Sequence, residues 1–551
     1  MKRSLLSFLL AFAPLSLCAE VTRLNVADFG ARPDDGRCDT EALVAALAAA
    51  KRQAPAELHF AAGTYTLTKP GAKEHYLALI EARDVALIGA VDAQGGPATR
   101  LERVFALDND TTLPNQLAIA RSERITVRNL VLANNPPLGS TARVLAVDRE
   151  KDEVLVEVLP GLPAYDGMRC ASAHAWDLAT GKLKRFGTTP ESATLTIGLN
   201  IKAFWRAVPG TDARRLTMTG AGFSKKVEVG DGISWHHKSA EMPNQTSVMY
   251  SRDIVFENVF FPNVGNMGMI AGYNHNLTFR RVRFEPENGN LAIGGRDGLH
   301  LSMNSGELLV EDCVFKGLRM DPLVIRRSFG IVKEVRGTDT LFISPGYDVP
   351  AGDRIRFWVG EQPVDLVVKQ AKRQKGGYAY VFTGAVPAGT AVGTAVSFQT
   401  YSLTQGVIRR TLFAENFGSA IVNFEENITV EDCTFDNNSY QVKYGPNAVS
   451  GGFVRNNVVR HNVFLNSSWI DIARRGQPAA IVIHSLSRFF KEPRYNANIL
   501  ITGNVFKNPH GQAEAAAIDV RHAEAVEIRD NVYEGYTREV VRDGVVVAPV
   551  R

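Results

Sequence analysis

Apolar and polar residues alternate along much of this chain, and the alternation comes in short bursts that echo one another. The pattern apolar-x-apolar-x-(Asp/Asn)-(Asn/Cys)-x-Phe reads ITVRNLVL at 125–132 and IVFENVFF at 254–261. It returns at 277–284, 308–315, 408–413, 428–435, 454–464, 499–506 and 526–533. A period of two marks strand, not helix. The closing aromatics Phe261 and Phe284 are 23 residues apart, Phe413 and Phe435 are 22, and Phe435 and Phe464 are 29. Repeats of that length build solenoids. Stacked coils set like residue on like about 4.8 Å apart, and Asn or Asp at strand ends suits left-handed corner bends. The predicted fold is all-β, a right-handed parallel β-helix. A β-sandwich or propeller with similar strands is the competing reading.

A solenoid exposes an open end of core that must be covered. The Ala- and Leu-rich amphipathic stretch 40–51 is the predicted N-terminal capping helix, with Asp39 or Thr40 as its N-cap. Two stretches lack the Asn-x-Phe pattern, 137–230 and 330–402, and read as two inserted small β-barrel domains. The chain then divides into a leader at 1–19, the cap and first coils at 20–136, the first insertion, central coils at 231–329, the second insertion, and C-terminal coils at 403–551. Insertions in solenoids cluster on one face, often the binding face.

The leader has Lys2 and Arg3 before an apolar run, with Ala19 as a small residue at a cleavage position. Export is expected, so the protein is read as secreted or periplasmic. Beyond residue 20 no apolar run reaches the roughly 18 residues that span a bilayer. The 551 residues carry 62 basic and 58 acidic side chains with no basic block, so nucleic acid is not an expected partner. After the leader four cysteines remain, none in a CxxC pair. Cys313 and Cys433 share the contexts VEDCVF and VEDCTF and read as small buried wall residues. His236, His237 and His484 lack partners at metal-ligand spacing, so no metal or other cofactor is expected.

The densest polar constellation lies between the insertions, in AGYNHN at 271–276, GGRDGLHL at 294–301 and GLRMDPLVIRR at 317–327. His275 and Asp297 are 22 apart, and Asp297 and Asp321 are 24 apart. Each offset is near one coil, which predicts all three on neighbouring rungs of one face. Close carboxylates push each other's pKa apart, so one can hold a proton while the other is ionised. Glycosidic cleavage needs that division of labour. Each aspartate also sits in a turn context, where it could merely cap the turn. His300 alternates with Leu299 and Leu301, and Arg296, Arg319, Arg326 and Arg327 make the patch cationic. Glu425 and Glu426 could add a carboxylate or form a solvated turn.

The order of parts resembles glycoside hydrolase family 110, exo-acting enzymes that remove terminal α-1,3-linked galactose. That family has a secreted β-helix with two barrel insertions. Its characteristic stretch is an Asp-Ala-Thr-His-Phe-like segment, a Glu-Asp-Cys-x-Phe strand and a paired Asp-Asp motif followed by Asn-x-His. Asp297, Gly298, Leu299, His300 and Leu301 match the first element, residues 306–315 the strand, and 320–326 the paired motif. Met320 stands for the first aspartate of the pair, Val324 for the Asn and Arg326 for the His. The resemblance implies an inverting glycosidase framework without a metal cofactor.

The expected activity is exo-acting glycoside hydrolysis of an oligo- or polysaccharide, with α-galactoside as the suggested terminal sugar. Asp321 is read as general base and Asp297 as its partner, either general acid or substrate anchor. His275, Arg296, His300, Arg326 and Glu425 would line the sugar pocket. The alternatives are a polysaccharide lyase or epimerase acting on uronates, or a carbohydrate-binding β-helix without catalysis.

Overall fold

A computed structural model describes residues 20–184, 203–237, 244–440, 442–446, 451–466, 469, 478–485, 494–508 and 515–547. The chain winds as a parallel β-helix. Its walls are a 21-stranded assembly and a separate 12-stranded sheet that runs from His75–Ile80 to the C-terminal strands. Register is kept from coil to coil, with Phe256 beside Phe279, Phe279 beside Val310 and Ile408 beside Val430. Phe261, Phe284, Phe315, Phe413, Phe435, Phe464, Phe506 and Tyr533 form one column of stacked rings, with centroids 4.5–5.4 Å apart. Each such contact adds about 0.5–1.5 kcal/mol beyond burial.

Corners are turned as the pattern implies. Asn129, Asn258, Asp312, Asp432 and Asp530 all have φ between 53° and 59°. Arg281, Arg410 and His461 adopt the same left-handed bend without the side chains that usually favour it. Beside these corners the coil interior is held by polar ladders. Cys433 donates its N–H to Asn462 Oδ1 at 2.9 Å, Asn462 to Asn504 Oδ1 at 3.0 Å, and Asn504 to Asn531 Oδ1 at 2.9 Å. Cys313 and Cys433 are free, buried thiols in this wall.

The capping helix spans Thr40–Arg52 and buries Leu43, Ala46, Leu47 and Ala50 over the first coil. Asp39 is at the N-cap, and its carbonyl accepts from the Leu43 N–H at 2.9 Å, but its side chain does not bond the helix. Its carboxylate accepts from the Arg32 and Thr66 N–H groups at 3.0 and 2.8 Å, tying two loops to the cap instead.

The first insertion is an antiparallel seven-stranded sheet around its own core of Val144, Val154, Val156, Trp205 and Trp235. It runs past the turn at Gly230, because Gly232–His236 pairs with Gly139–Asp148 and Ser172–Asp177 rather than with the helix. The second is a closed six-stranded barrel from Gly330–Val335 to Ala395–Phe398. No helix among the described residues is long and apolar enough to cross a membrane. Residues 1–19, read as a leader, lie outside the described residues.

Candidate active site

Asp297 and Asp321 occupy equivalent positions on adjacent rungs. Leu299 pairs with Leu323 and His300 with Val324, so the residues two places before Leu299 and Leu323 stack as well, about 4.8 Å apart along the axis. The Gly298 N–H donates to the Asp321 carbonyl at 3.1 Å, and the Gly268 N–H to that of Asp297 at 2.9 Å. On the next coil, Ser419 donates its N–H to Asp321 Oδ1 at 2.8 Å. Gly418 makes this approach possible. A Cβ there would lie 2.1 Å from the Met320 carbonyl carbon and 2.5 Å from the Asp321 nitrogen.

The two carboxyls meet different surroundings. Asp297 is almost wholly buried, and its Oδ2 lies 2.7 Å from His300 Nδ1. Its Oδ1 is also buried and has no partner among the described residues. Burial and then the charge of Asp297 push the Asp321 carboxyl up to about 7, against the opposing pull of the Ser419 N–H, Lys443 and Arg296. The outer face of the strand beyond carries His300, then Val324, Val422 and Lys443 on successive rungs. Val324, Val422 and Phe424 form an apolar floor, and the Lys443 ammonium lies 4.7 Å over the Phe424 ring.

The first insertion supplies a wall. Trp176 and Leu183 pack with Ala292, Phe417 and Trp469. The Leu183 N–H donates to Glu415 Oε2 at 2.7 Å, and Thr141 Oγ1 to Asn290 Oδ1 at 2.6 Å. This seats His174 in the interface, with His236 beside it and His237 held within the insertion against Ser140 and Tyr165, all buried. His174 stacks on Phe417 with centroids 4.3 Å apart. Burial lowers all three imidazoles, His236 and His237 to about 3, so they are neutral. The Arg319 charge reinforces this at His174 and His236, and that charge is itself favoured by Asp297 and Asp321.

The sequence-derived candidates divide. Asp297, Asp321, His300 and Arg296 come together. His275 does not. It opens the strand His275–Arg280 on another wall, with Nδ1 3.2 Å from Ser305 Oγ, and lines a separate cavity of about 520 Å³ with Tyr250, Tyr273 and Tyr401. The reason is that coil lengths differ. His275 stacks on Ser305, 30 residues later, so a 22-residue step falls short of a coil. Arg326 ends the strand Leu323–Arg326, at the opposite end from Asp321. Glu425 lies at that same end, buried against Arg327 at 3.3 Å, not in a solvated turn and not beside the aspartates.

Lys443, Ser419 and the histidines of the first insertion were not among the predicted pocket residues. The adjacent pair His236-His237 was the one visible signal, and nothing in its spacing pointed to Asp297. Among the described residues no group of three or more His, Cys, Asp or Glu is placed to hold a metal ion.

Residues 23–134 match the family described as rhamnogalacturonase A/epimerase, pectate lyase-like. That match covers the cap and first coils and stops short of both aspartates. Across most of its length the chain is similar to alpha-1,3-galactosidase A of Bacteroides fragilis, 22% identical over 88% of this chain and 83% of that protein. A shorter segment is 30% identical to alpha-1,3-galactosidase B of Bacteroides thetaiotaomicron, over 16% of this chain and 15% of that one. Among solved structures, the endo-xylogalacturonan hydrolase of Aspergillus tubingensis aligns at a TM-score of 0.41 and 9% identity, over 95% of this chain and 93% of its own. The mannuronan C-5 epimerase AlgE6 A-module of Azotobacter vinelandii aligns at 0.40 and 13%, over 96% and 100%. These similar proteins are named as enzymes that act on carbohydrate.

Proposed function

We propose that this chain is an exo-acting glycoside hydrolase that releases a terminal sugar by an inverting, two-carboxylate reaction. Similarity to the Bacteroides galactosidases supports an α-galactoside as that sugar. The observation that carries the two-carboxylate reading is the pair of aspartates on adjacent rungs in unlike environments, while inversion rests on the resemblance to family 110. Asp321 retains a proton near neutral pH because burial and Asp297 disfavour its charge. It donates that proton to the glycosidic oxygen as the bond to the anomeric carbon breaks. Asp297 spends Oδ2 on His300 and leaves Oδ1 buried without a hydrogen-bond partner, so it accepts the proton of the water that attacks the opposite face. This exchanges the two roles read from the sequence. A general base must be ionised at working pH, and Asp321 is the carboxyl whose surroundings hold its proton.

Asp321→Asn tests the assignment. Hydrolysis of 4-nitrophenyl α-galactoside and of α-1,3-linked galactosides should fall about 10²–10⁴-fold with no loss of melting temperature, and NMR of the wild-type product should show the inverted anomer first. Wild-type turnover in the variant removes the assignment. An unsaturated, ultraviolet-absorbing product identifies a lyase instead. The proposed place of action is the periplasm or the cell exterior, supported by the leader-like residues 1–19. Mass spectrometry of the exported protein should find a mature start near Glu20.

A further inference from the structure

Two guanidinium groups lie near the aspartates, and neither makes a hydrogen bond or an ion pair with them. Elsewhere this chain pairs its stacked arginines. Arg280 and Arg409 both reach Glu311, at 2.7 and 2.5 Å, and Arg460 reaches Glu431 at 2.5 Å. Arg296 and Arg319 have no hydrogen-bonded or ion-paired side-chain partner among the described residues, and Arg319 Nε is buried. The obvious counterions are engaged. Asp297 Oδ2 faces His300, and Asp321 Oδ1 accepts from Ser419. The two arginines repel each other, and Asp297 and Asp321 attract Arg319 only from beyond bonding distance.

A largely desolvated guanidinium without a directly bonded counterion is costly, and native structures rarely leave one so. A sugar hydroxyl would satisfy an N–H but leave two like charges together. A carboxylate or a sulfate would satisfy both, and its oxygens match the planar fork of a guanidinium. The neutral rings of His174 and His236 lie beside Arg319, and His174 has both ring nitrogens buried without a partner. They can donate to such a group without adding charge.

We propose that this site takes a terminal sugar carrying an anionic substituent, a carboxylate or a sulfate ester, held between Arg319 and Arg296. The identity of the sugar rests on the hydrolase reading above; the anion does not.

The test is calorimetry on the Asp321→Asn protein with galacturonic acid, galactose 6-sulfate and galactose. At least one anionic sugar should bind ten-fold or more tightly than galactose, and the better of the two identifies the substituent. That preference should vanish in the added Arg319→Gln, return in part in Arg319→Lys, and weaken with salt. Arg296→Gln gives a second arm if Arg319→Gln melts early. Galactose binding as tightly as both anionic sugars, or a preference that survives loss of both arginines, overturns the proposal. Turnover by the wild type separates the two readings. Anion preference without hydrolysis of 4-nitrophenyl α-galacturonide or α-galactoside removes the hydrolase alone. Hydrolysis of the galactoside without anion preference removes this inference alone.

Discussion

The stacked strands Leu299–Ser302, Leu323–Arg326 and Ile421–Asn423 present charge at both ends of the sheet, Asp297 and Asp321 at one end and Arg327, Glu425 and Glu426 at the other, and the fold treats the two ends in opposite ways. Just past the strand ends, next to the barrel, Arg327 contacts Glu425 at 3.3 Å and Glu426 at 2.8 Å, and Arg356 of the barrel bonds both Glu426 at 2.8 Å and Asp365 at 2.7 Å. Every charge there has a partner. At the other end Asp297 and Asp321 stack one rung apart, an Asp297 oxygen is left open, and Arg319 is unpaired among the described residues. Both ends are desolvated, so burial alone does not distinguish them. What differs is ion pairing: at the barrel end each of these charges faces an opposite one, although Arg327 Nε and Glu425 Oε2 make no hydrogen bond there either, whereas Arg319 contacts no carboxylate among the described residues and has capacity left for a substrate.

The sharpest way to break that contrast is to remove one arginine from each end. Arg327→Ala leaves two buried carboxylates facing each other and should cost about 3–5 kcal/mol, measured by urea unfolding. Arg319→Ala removes a charge that bonds no side chain among the described residues and should cost far less. Equal losses at both ends would dissolve the distinction.

His300→Gln comes next. It should lower kcat by about ten- to a hundred-fold, with little change in KM, because a second-sphere partner that orients a reacting group is worth that much.

The pH dependence is milder. If the Asp321 proton is required, kcat should fall as pH rises above about 7. Stability has its own sign. The folded carboxyl binds its proton more tightly than the unfolded one near 3.8, so wild-type stability falls as pH rises from about 4 to about 7. Asp321→Asn lacks this loss. Its melting temperature should therefore exceed that of the wild type most above pH 7, with the gap closing as pH falls toward 4.

The smallest effect is expected from His275→Ala. It should leave kcat/KM within about two-fold, since His275 stacks on Ser305 on another wall; a large loss would reinstate it in the pocket.

The repeat was legible because a solenoid writes its architecture into nearest-neighbour stacking. Phe284 and Phe315 announce each other by position, and so do Asp297 and Asp321. Residues whose neighbours are not one coil away leave no such trace. His174 reaches Arg319 across about 145 residues of chain through the first insertion, and His236-His237 could be seen as a pair but not located. The His275 assignment failed for the converse reason. A fixed step was applied to coils that differ in length by several residues, and a step that ends early lands on a different wall. Glu425 and Glu426 follow an apolar run and read as a surface turn, because the cations that bury them come from the corner at Arg327 and from the barrel strand Arg354–Phe357.

The aromatic column crosses the second insertion without a break in spacing. Phe315 and Phe413 are 98 residues apart in sequence, yet their rings lie 5.1 Å apart, as close as Phe413 and Phe435 on consecutive coils. The barrel is thus an appendix to a spiral that is already continuous beneath it. Modules of other shapes could be grafted at that same corner, altering what overhangs the sheet while the aspartates keep their pitch.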